Sequence, residues 1–284
     1  MVRWTQMQLT TVTEQPAGSS AREVPRGARG VRQMLLTTAR RVVPASCVEL
    51  AFSSVHTLSV VRNLWGFGGG QQKIQCLICG CRGRFRAYGH PPRYQAKCPR
   101  CFALERHRLL ALVAERQKLF AGKAVLHFAP EPIMQELVKP IASKYLSGDI
   151  RPGHGDAVLN VEAIDQPDNS WDVVIVSHVL EHVNDKVAVS EIYRVLRGNG
   201  KLIVMSPIIE GWNETYENPS ITEPRDRLLH FGQADHVRYY GRDFRGRLES
   251  AGFNVDEFCG SGEECARFGL LRGEKIFVGT KQCA

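Results

Sequence analysis

Two Cys-x-x-Cys pairs constrain the fold of this chain more than any other feature of its sequence. The pairs are Cys76 with Cys79 and Cys98 with Cys101, and 18 residues separate them. This spacing is typical of two tight turns that close on one tetrahedral metal ion. Four thiolates without a histidine favour Zn²⁺ and leave no open coordination position. The sequence therefore predicts a structural zinc ribbon with four cysteine ligands.

The same cysteines allow two other interpretations. Cys81 lies close to the first pair and could compete as a ligand. Redox-active or disulfide-bonded pairs would also use the Cys-x-x-Cys spacing. We favour the metal site because the motif is doubled and the chain has no obvious secretory signal.

Basic residues are concentrated in the first part of the chain. Residues 1–118 contain 19 Lys and Arg against 5 Asp and Glu, whereas residues 119–284 contain 18 against 24. A basic segment can bind nucleic acid, an anionic membrane surface or an acidic substrate, or it can be a solvated leader. No run of 18 apolar residues occurs, so no membrane span is predicted, and we expect a cytoplasmic protein.

Composition divides the chain into three predicted regions. Residues 1–70 form a basic leader, disordered at first because it is rich in Pro, Gly, Ser and Arg, and then partly helical. An organellar targeting segment and a start assigned too early stay open as alternatives for this leader. Residues 71–118 contain the zinc ribbon and a connecting helix, and residues 119–284 form a second domain.

The second domain alternates β-rich runs with helical patterns. This alternation predicts an α/β fold with a mainly parallel sheet and helices on both faces. Helices are predicted at 132–139, at 185–197 and from Phe244 to about Gly252, and the Gly198–Gly200 segment is predicted to be a turn. The predicted strands are Ala124–Phe128, Lys144–Leu146, Ala157–Asn160, Asp172–Val176, Lys201–Met205, Asn254–Phe258 and Lys275–Gly279.

Two segments carry a resemblance to a known family. They are Asn169–Val183, which reads NSWDVVIVSHVLEHV, and Glu191–Leu202, which reads EIYRVLRGNGKL. Over roughly residues 123–280 the chain resembles class I S-adenosylmethionine-dependent methyltransferases. It also looks like bacterial members that place a zinc ribbon and a Leu-Glu-Arg-His-Arg-Leu helix, here Leu104–Leu109, before the first strand. The resemblance implies a Rossmann-like sheet of seven strands and a transferase that uses S-adenosylmethionine.

The loop after the first strand departs from the family pattern. The family usually has an acid and then a glycine-rich run, whereas this chain has His127, Phe128, Ala129, Pro130 and Glu131. Ala129 is the small residue of this loop. Phe128 and Ala129 are nevertheless predicted to contact the cofactor, and Glu131 could hold its ammonium group. A helix-start carboxylate is the alternative role for Glu131.

Four further residues complete the predicted cofactor site. Asp149 follows the second strand, where a carboxylate binds ribose hydroxyls in nucleotide-binding α/β folds. Asn160 could accept a hydrogen bond from the adenine amine, with Val161 beside the ring. Ser177 ends the fourth strand and is expected to face the ligand crevice.

Two histidines are candidates for a general base. His178 follows the fourth strand, and His236 lies in a long insertion at 206–243 that is expected to act as a lid. Imidazole is the side chain that most often serves as a base near neutral pH. A structural role in a loop is the alternative for His178. For the polar lid the alternatives are an ordinary surface loop, a substrate site that includes Arg238, and a metal site on Asp235 and His236.

These observations lead to three functional hypotheses. The first is an S-adenosylmethionine-dependent methyltransferase that acts on a hydroxyl, or an amine, of a small or glycan-like acceptor. The second is an RNA methyltransferase that uses the basic ribbon region to hold nucleic acid. The third is a non-catalytic interaction module, for which the missing glycines are the support. The oligomeric state is not predicted.

Overall fold

The computed structural model of the chain describes residues 73–89 and 91–283. The predictions for the leader at 1–70 lie outside the described residues. The described residues all belong to one compact unit, so the predicted boundary at residue 118 falls inside it. Within the described ranges, none of the helices has the length and apolar character needed to cross a bilayer.

The cysteine region consists of two small antiparallel hairpins followed by a helix. The first hairpin pairs β1 (Ile74–Gln75) with β2 (Arg82–Gly83), and the second pairs β3 (Arg86–Tyr88) with β4 (Arg93–Lys97). Helix α1 (Glu105–Gln117) then leads into the large sheet.

The seven strands of the large sheet are β5 (Ala124–Phe128), β6 (Lys144–Asp149), β7 (Ala157–Val158), β8 (Trp171–Ser177), β9 (Leu196–Met205), β12 (Phe253–Cys259) and β13 (Lys275–Lys281). They lie in the order β7-β6-β5-β8-β9-β13-β12. All neighbours are parallel except β13, which runs antiparallel to both β9 and β12. This is the Rossmann-like sheet of seven strands that the family resemblance implies.

The remaining elements cover the sheet and its carboxyl edge. A 3₁₀ helix (Leu180–His182) follows β8, and a short hairpin in the insertion pairs β10 (Tyr216–Glu217) with β11 (Arg238–Tyr239). The helices after α1 are α2 (Pro132–Val138), α3 (Asp185–Val195), α4 (Pro224–Phe231), α5 (Phe244–Glu249) and α6 (Gly262–Phe268).

Two apolar cores lie on the two faces of the sheet. Successive residues of a strand point to opposite faces, so Val173 and Ile175 join one core while Val174 and Val176 join the other. Helices α1, α2 and α6 contribute to the first core, and α3 and α5 contribute to the second. Strands that are apolar on both sides are typical of a parallel sheet covered by helices.

The observed elements differ from the predicted ones mainly at their ends. Helix α3 ends at Val195, two residues before its predicted end, because Leu196 already pairs with Trp171 as the start of β9. The predicted turn persists as an irregularity inside β9, where Asn199 has a φ of 61°. The insertion at 206–243 contains α4 and a hairpin in addition to loops.

Candidate functional site

The four predicted metal ligands converge on one point. The Sγ atoms of Cys76 and Cys101 are 3.6 Å apart, and those of Cys79 and Cys98 are 3.7 Å apart. All four sulfurs lie within 4.8 Å of one another. Sulfurs on a tetrahedral ion at 2.3 Å would be separated by about 3.8 Å. The cluster therefore has the size and donor set of a tetrahedral thiolate site.

The two Cys-x-x-Cys turns have the same backbone structure. In the first, the amide of Gly80 donates to the carbonyl oxygen of Cys76, and the amide of Cys76 donates to the carbonyl oxygen of Cys81. In the second, the amide of Phe102 donates to the carbonyl oxygen of Cys98, and the amide of Cys98 donates to the carbonyl oxygen of Ala103. Cys81 thus completes the first turn through its carbonyl oxygen, and its thiol is outside the four-sulfur group.

A buried arginine joins the cysteine region to the end of α6. Arg108 of α1 is fully buried, and its guanidinium donates to four carbonyl oxygens at 2.6–3.0 Å. Two acceptors, Ala96 and Ala103, belong to the cysteine region, and two, Phe268 and Gly269, lie at the end of α6. The positive charge also lies close enough to Cys76, Cys98 and Cys101 to interact with their thiolates.

A cavity of about 420 Å³ lies at the carboxyl ends of β5, β6 and β8. Open α/β sheets bind nucleotides in this crevice. Five of the seven predicted cofactor residues line it, namely Phe128, Ala129, Asp149, Asn160 and Val161. Glu131 and Ser177 are not among the described residues that line it.

The first loop makes its tight turn without glycine. Ala129 has a φ of 45°, in the left-handed region, and its amide donates to the carbonyl oxygen of Gly148 at 2.9 Å. The close approach in this crevice occurs at Gly148 of β6, where an added Cβ would lie 2.7 Å from the side chain of Leu159. The sequence reasoning missed Gly148 because it looked for glycines in the first loop.

Asp149 is the last residue of β6, and Arg151 keeps its carboxylate ionised. Its carboxylate accepts from the amide of Arg151 at 2.8 Å and from the Arg151 guanidinium at 3.2 and 3.3 Å. Burial acts to raise the pKa of Asp149, but the hydrogen bonds and charge of Arg151 outweigh it, and the pKa is lowered. The carboxylate is therefore ionised at neutral pH.

Glu131 already has partners in the helix before the sheet. Its carboxylate accepts hydrogen bonds from Arg106 and, at 2.7 Å, pairs with Nε2 of His107. Despite burial, these contacts lower the pKa of Glu131 to about 2. The prediction that Glu131 holds the cofactor's ammonium group stays untested, and Arg106 and His107 would compete with that ligand.

His178 lies between the cofactor crevice and a second cavity of about 430 Å³. Its φ of 55° is unusual for a residue other than glycine, and its amide donates to Met205 at 2.8 Å. Its Nδ1 lies 3.3 Å from the Glu181 carboxylate, and its Nε2 is buried without a hydrogen-bond partner among the described residues. Strained backbone of this kind often marks functional positions.

His236 lies beside the 3₁₀ helix that contains Glu181 and His182. It is buried, its ring packs edge-on against His182 at a centroid distance of 4.6 Å, and its Nδ1 has no hydrogen-bond partner within residues 73–89 and 91–283. Burial and the neighbouring His182 lower the pKa of His236. The lid therefore brings one predicted histidine close to the residues that follow β8.

Two further polar residues contrast: Arg238 of the lid has several hydrogen-bond partners, whereas Glu274 of the second cavity has a carboxylate oxygen without one among the described residues. Arg238 donates to the carbonyl oxygens of Leu180 and Val183 and to Glu217, so it connects the lid hairpin to the 3₁₀ helix. Glu274 lines the second cavity, and its Oε2 is buried without a partner in the part of the chain that the structure describes. No sequence pattern pointed to Glu274.

Comparisons with known proteins agree with this architecture over part of the chain. Residues 123–204 match the family model for a methyltransferase domain. Over 91 residues the chain is 37% identical to the ubiquinone/menaquinone biosynthesis C-methyltransferase UbiE of Escherichia coli O1:K1 / APEC and of Shigella boydii serotype 18. That alignment covers 30% of this chain and 36% of each relative, so the chain spans about a third of their length.

Two solved structures are similar at low identity. The YcgJ protein from Bacillus subtilis has a TM-score of 0.43 and 16% identity, over 63% of this chain and all of that one. An S-adenosylmethionine-dependent methyltransferase from Mesorhizobium loti has a TM-score of 0.44 and 14% identity, over 61% of this chain and 96% of that one.

The strand order, with its single antiparallel strand, defines a Rossmann-like methyltransferase fold. The matched family model, which describes a methyltransferase domain, covers the part of the chain from just before β5 to the penultimate residue of β9.

Proposed function

We propose that this chain transfers a methyl group from S-adenosylmethionine to a hydroxyl, or less readily an amine, of a small polar or glycan-like acceptor. The observation that carries this proposal is the position of His178. It borders both the crevice expected to hold the cofactor and a second cavity of similar size. A nucleophile in the second cavity would have a titratable nitrogen beside it.

The chemistry requires little from the protein beyond positioning and a proton acceptor. When bound, S-adenosylmethionine supplies a methyl group on a sulfonium that leaves readily. A hydroxyl acceptor must also lose its proton, and a general base contributes roughly 10²–10⁴ in rate. The Nε2 atom of His178 is our candidate, because it lies between the two cavities and is buried without a hydrogen-bond partner among the described residues.

The charges of the second cavity support a small acceptor over nucleic acid. Four cationic residues line it, and three of them form ion pairs: Arg93 with Glu105, Arg106 with Glu131, and Lys275 with Glu210 and Glu257. Pairing with carboxylates reduces the attraction for phosphates that a nucleic-acid site needs. A carbon acceptor, as the name of the UbiE C-methyltransferases indicates for those relatives, is an outcome that the acceptor screen below can detect.

We also infer that Cys76, Cys79, Cys98 and Cys101 bind one structural Zn²⁺. The spacing of the four sulfurs supports this ion, and a complete set of four thiolates supports a structural role.

Calorimetry with S-adenosylmethionine tests the cofactor site. Replacing Asp149 by Ala should weaken binding by about tenfold or more, because each hydrogen bond to a charged acceptor contributes about 1.5–3 kcal/mol. Asp256→Ala is the matched control, since this exposed carboxylate lies on β12 at the opposite edge of the sheet. Equal affinity of the wild type and Asp149→Ala would reject the ribose assignment.

An acceptor screen with labelled methyl donor tests the catalytic role of His178. In His178→Asn we expect folding with the left-handed backbone, which Asn tolerates, and a loss of about 10²–10⁴ in turnover. Normal turnover in this variant, together with loss in His236→Asn, would move the base to the lid. A product in which the labelled methyl group is bonded to carbon would replace the hydroxyl proposal with carbon methylation.

A further inference from the structure

A second group of metal-ligating side chains lies beside the cofactor crevice. Glu181, His182 and His236 each offer one donor atom, and the three atoms lie within 4.8 Å of one another. The first two residues belong to the 3₁₀ helix after β8, and the third comes from the lid just before β11. Two imidazoles and one carboxylate bind divalent transition metals and leave other coordination positions open.

Two of these residues are buried and carry an atom without a hydrogen-bond partner among the described residues. Glu181 is 1% exposed, and Oε1 is its unpaired atom, whereas Oε2 accepts from Ser206 at 2.9 Å. Nδ1 of His178 approaches Oε1 to 3.3 Å without the geometry of a hydrogen bond. His236 is 3% exposed, and Nδ1 is its unpaired atom. Buried polar atoms are rarely left unpaired, and a cation between these two would satisfy both.

His182 and His236 each use one ring nitrogen in a contact with the protein, which leaves the other nitrogen free to bind a metal ion. Nδ1 of His182 lies 3.3 Å from the carbonyl oxygen of Asp235 and 3.3 Å from its carboxylate. A proton donated from Nδ1 to Asp235 leaves the lone pair on Nε2. His236 forms a hydrogen bond with the backbone of Phe231, which leaves Nδ1. Metal-binding histidines usually have such a contact on their second nitrogen.

The charges of the surroundings also suit a cation. Glu181 and Asp235 bring two carboxylates to the two imidazoles. Arg238 packs against the same 3₁₀ helix, but its guanidinium is used by Glu217 and by the carbonyl oxygens of Leu180 and Val183. The cluster is therefore a negatively charged, nitrogen- and oxygen-containing site.

We propose that Glu181, His182 and His236 bind one divalent transition-metal ion at the rim of the cofactor crevice. His182 and Asp235 line that crevice, so the open coordination positions of the ion would face bound ligands. An acceptor oxygen could occupy one of them. This last role rests on the proposed methyl transfer, whereas binding of the metal does not.

Mn²⁺ is a suitable probe, because it prefers oxygen and nitrogen ligands and does not compete for a thiolate cluster. Paramagnetic resonance titration of the full chain, with its cysteine site loaded with zinc, should show one bound Mn²⁺ per chain with hyperfine coupling to imidazole nitrogen. Asp235→Asn should weaken binding by about 10–100-fold, as loss of an outer contact does. Glu181→Gln and His236→Gln should each weaken it more. His154→Gln removes an exposed histidine outside the cluster and should bind like the wild type.

The proposal fails if the wild type binds neither Mn²⁺ nor a second equivalent of Zn²⁺. It also fails if Glu181→Gln and His236→Gln, shown to be folded by circular dichroism, keep wild-type affinity. If Glu181→Gln does not fold, His236→Gln decides the question because its side chain comes from the lid. Metal binding without methyl transfer to any acceptor would support this site and would count against the proposed function.

Discussion

Glu274 is a single residue whose environment departs strongly from that of an ordinary glutamate. It lines the second cavity, and its pKa is raised to about 7. Burial is the main cause, the charge of Glu105 acts in the same direction, and His178, Arg106 and Arg93 act to lower the pKa. Such a carboxyl group costs stability whenever it is ionised, and that cost is tolerated most often near functional sites.

The pKa of Glu274 predicts a pH-dependent stability. Between the unfolded pKa near 4.5 and the folded pKa of about 7, the folded state binds more protons, so stability falls as pH rises through this range. Glu274→Gln should match the wild type near pH 4 and exceed it by roughly 1–3 kcal/mol at pH 8. Denaturant unfolding at both pH values measures this difference. Exposed Glu249→Gln serves as the control, and parallel pH profiles for the wild type and Glu274→Gln would contradict the prediction.

At the level of elements, apolar periodicity allowed most of the sheet to be predicted. Strand β5 was predicted with its observed bounds, and the other six strands were predicted with errors at their ends. Periodicity describes which face is buried but not hydrogen-bond register, so the early start of β9 was missed. Strands β10 and β11 of the lid were missed because they have two residues each, too few to show a periodic pattern. Helix α4 was missed because Phe231 is its one buried residue, so burial imposes no apolar periodicity on its sequence.

The parts of the candidate site that depend on spacing or position within a short stretch of sequence could be predicted. Cysteine spacing located the thiolate cluster, and positions after strands located Asp149, Asn160 and His178. Glu181 and His236 are far apart in the sequence, so no local pattern could bring them together. The ion pair of Glu131 with α1 was missed for the same reason, since it joins two elements across a predicted domain boundary.

The two cysteine turns behave as one element only if a metal joins them. Elemental analysis should find that Cys98→Ser contains one zinc fewer per chain than the wild type, because three thiolates hold the ion less tightly. The variant should also be less stable than the wild type, because metal binding is coupled to folding. Cys259→Ser removes an exposed thiol outside the cluster and should keep the full zinc content. Equal zinc in all three proteins would show that the thiolates do not bind it.

At the scale of the whole molecule, the cysteine region and the sheet share a core. Helix α1 places Leu109, Leu110 and Val113 in the same apolar cluster as strands β5 and β8. Arg108 of the same helix connects the second cysteine turn to the end of α6. The two regions should therefore unfold together, in one transition.

Arg108→Lys should destabilise the whole unit by about 2–4 kcal/mol. Lysine keeps the charge but cannot donate to four separate carbonyl oxygens, and each buried group left unpaired costs about 1–3 kcal/mol. Arg267→Lys is the control, because Arg267 is exposed on the neighbouring α6. Thermal and denaturant unfolding should show one transition for each protein. Two separate transitions in the wild type, or no loss in Arg108→Lys, would contradict the shared core.

The position of α1 has a practical consequence for anyone who divides this protein for study. A shortened chain beginning at residue 119 would keep every strand of the large sheet. It would nevertheless uncover the apolar face on which α1 lies and leave the carbonyl oxygens of Phe268 and Gly269 without their donor. Such a fragment should aggregate. The cysteine region is thus not an interchangeable module that could be transplanted or deleted, and a shortened chain should begin upstream of Ile74 and include α6.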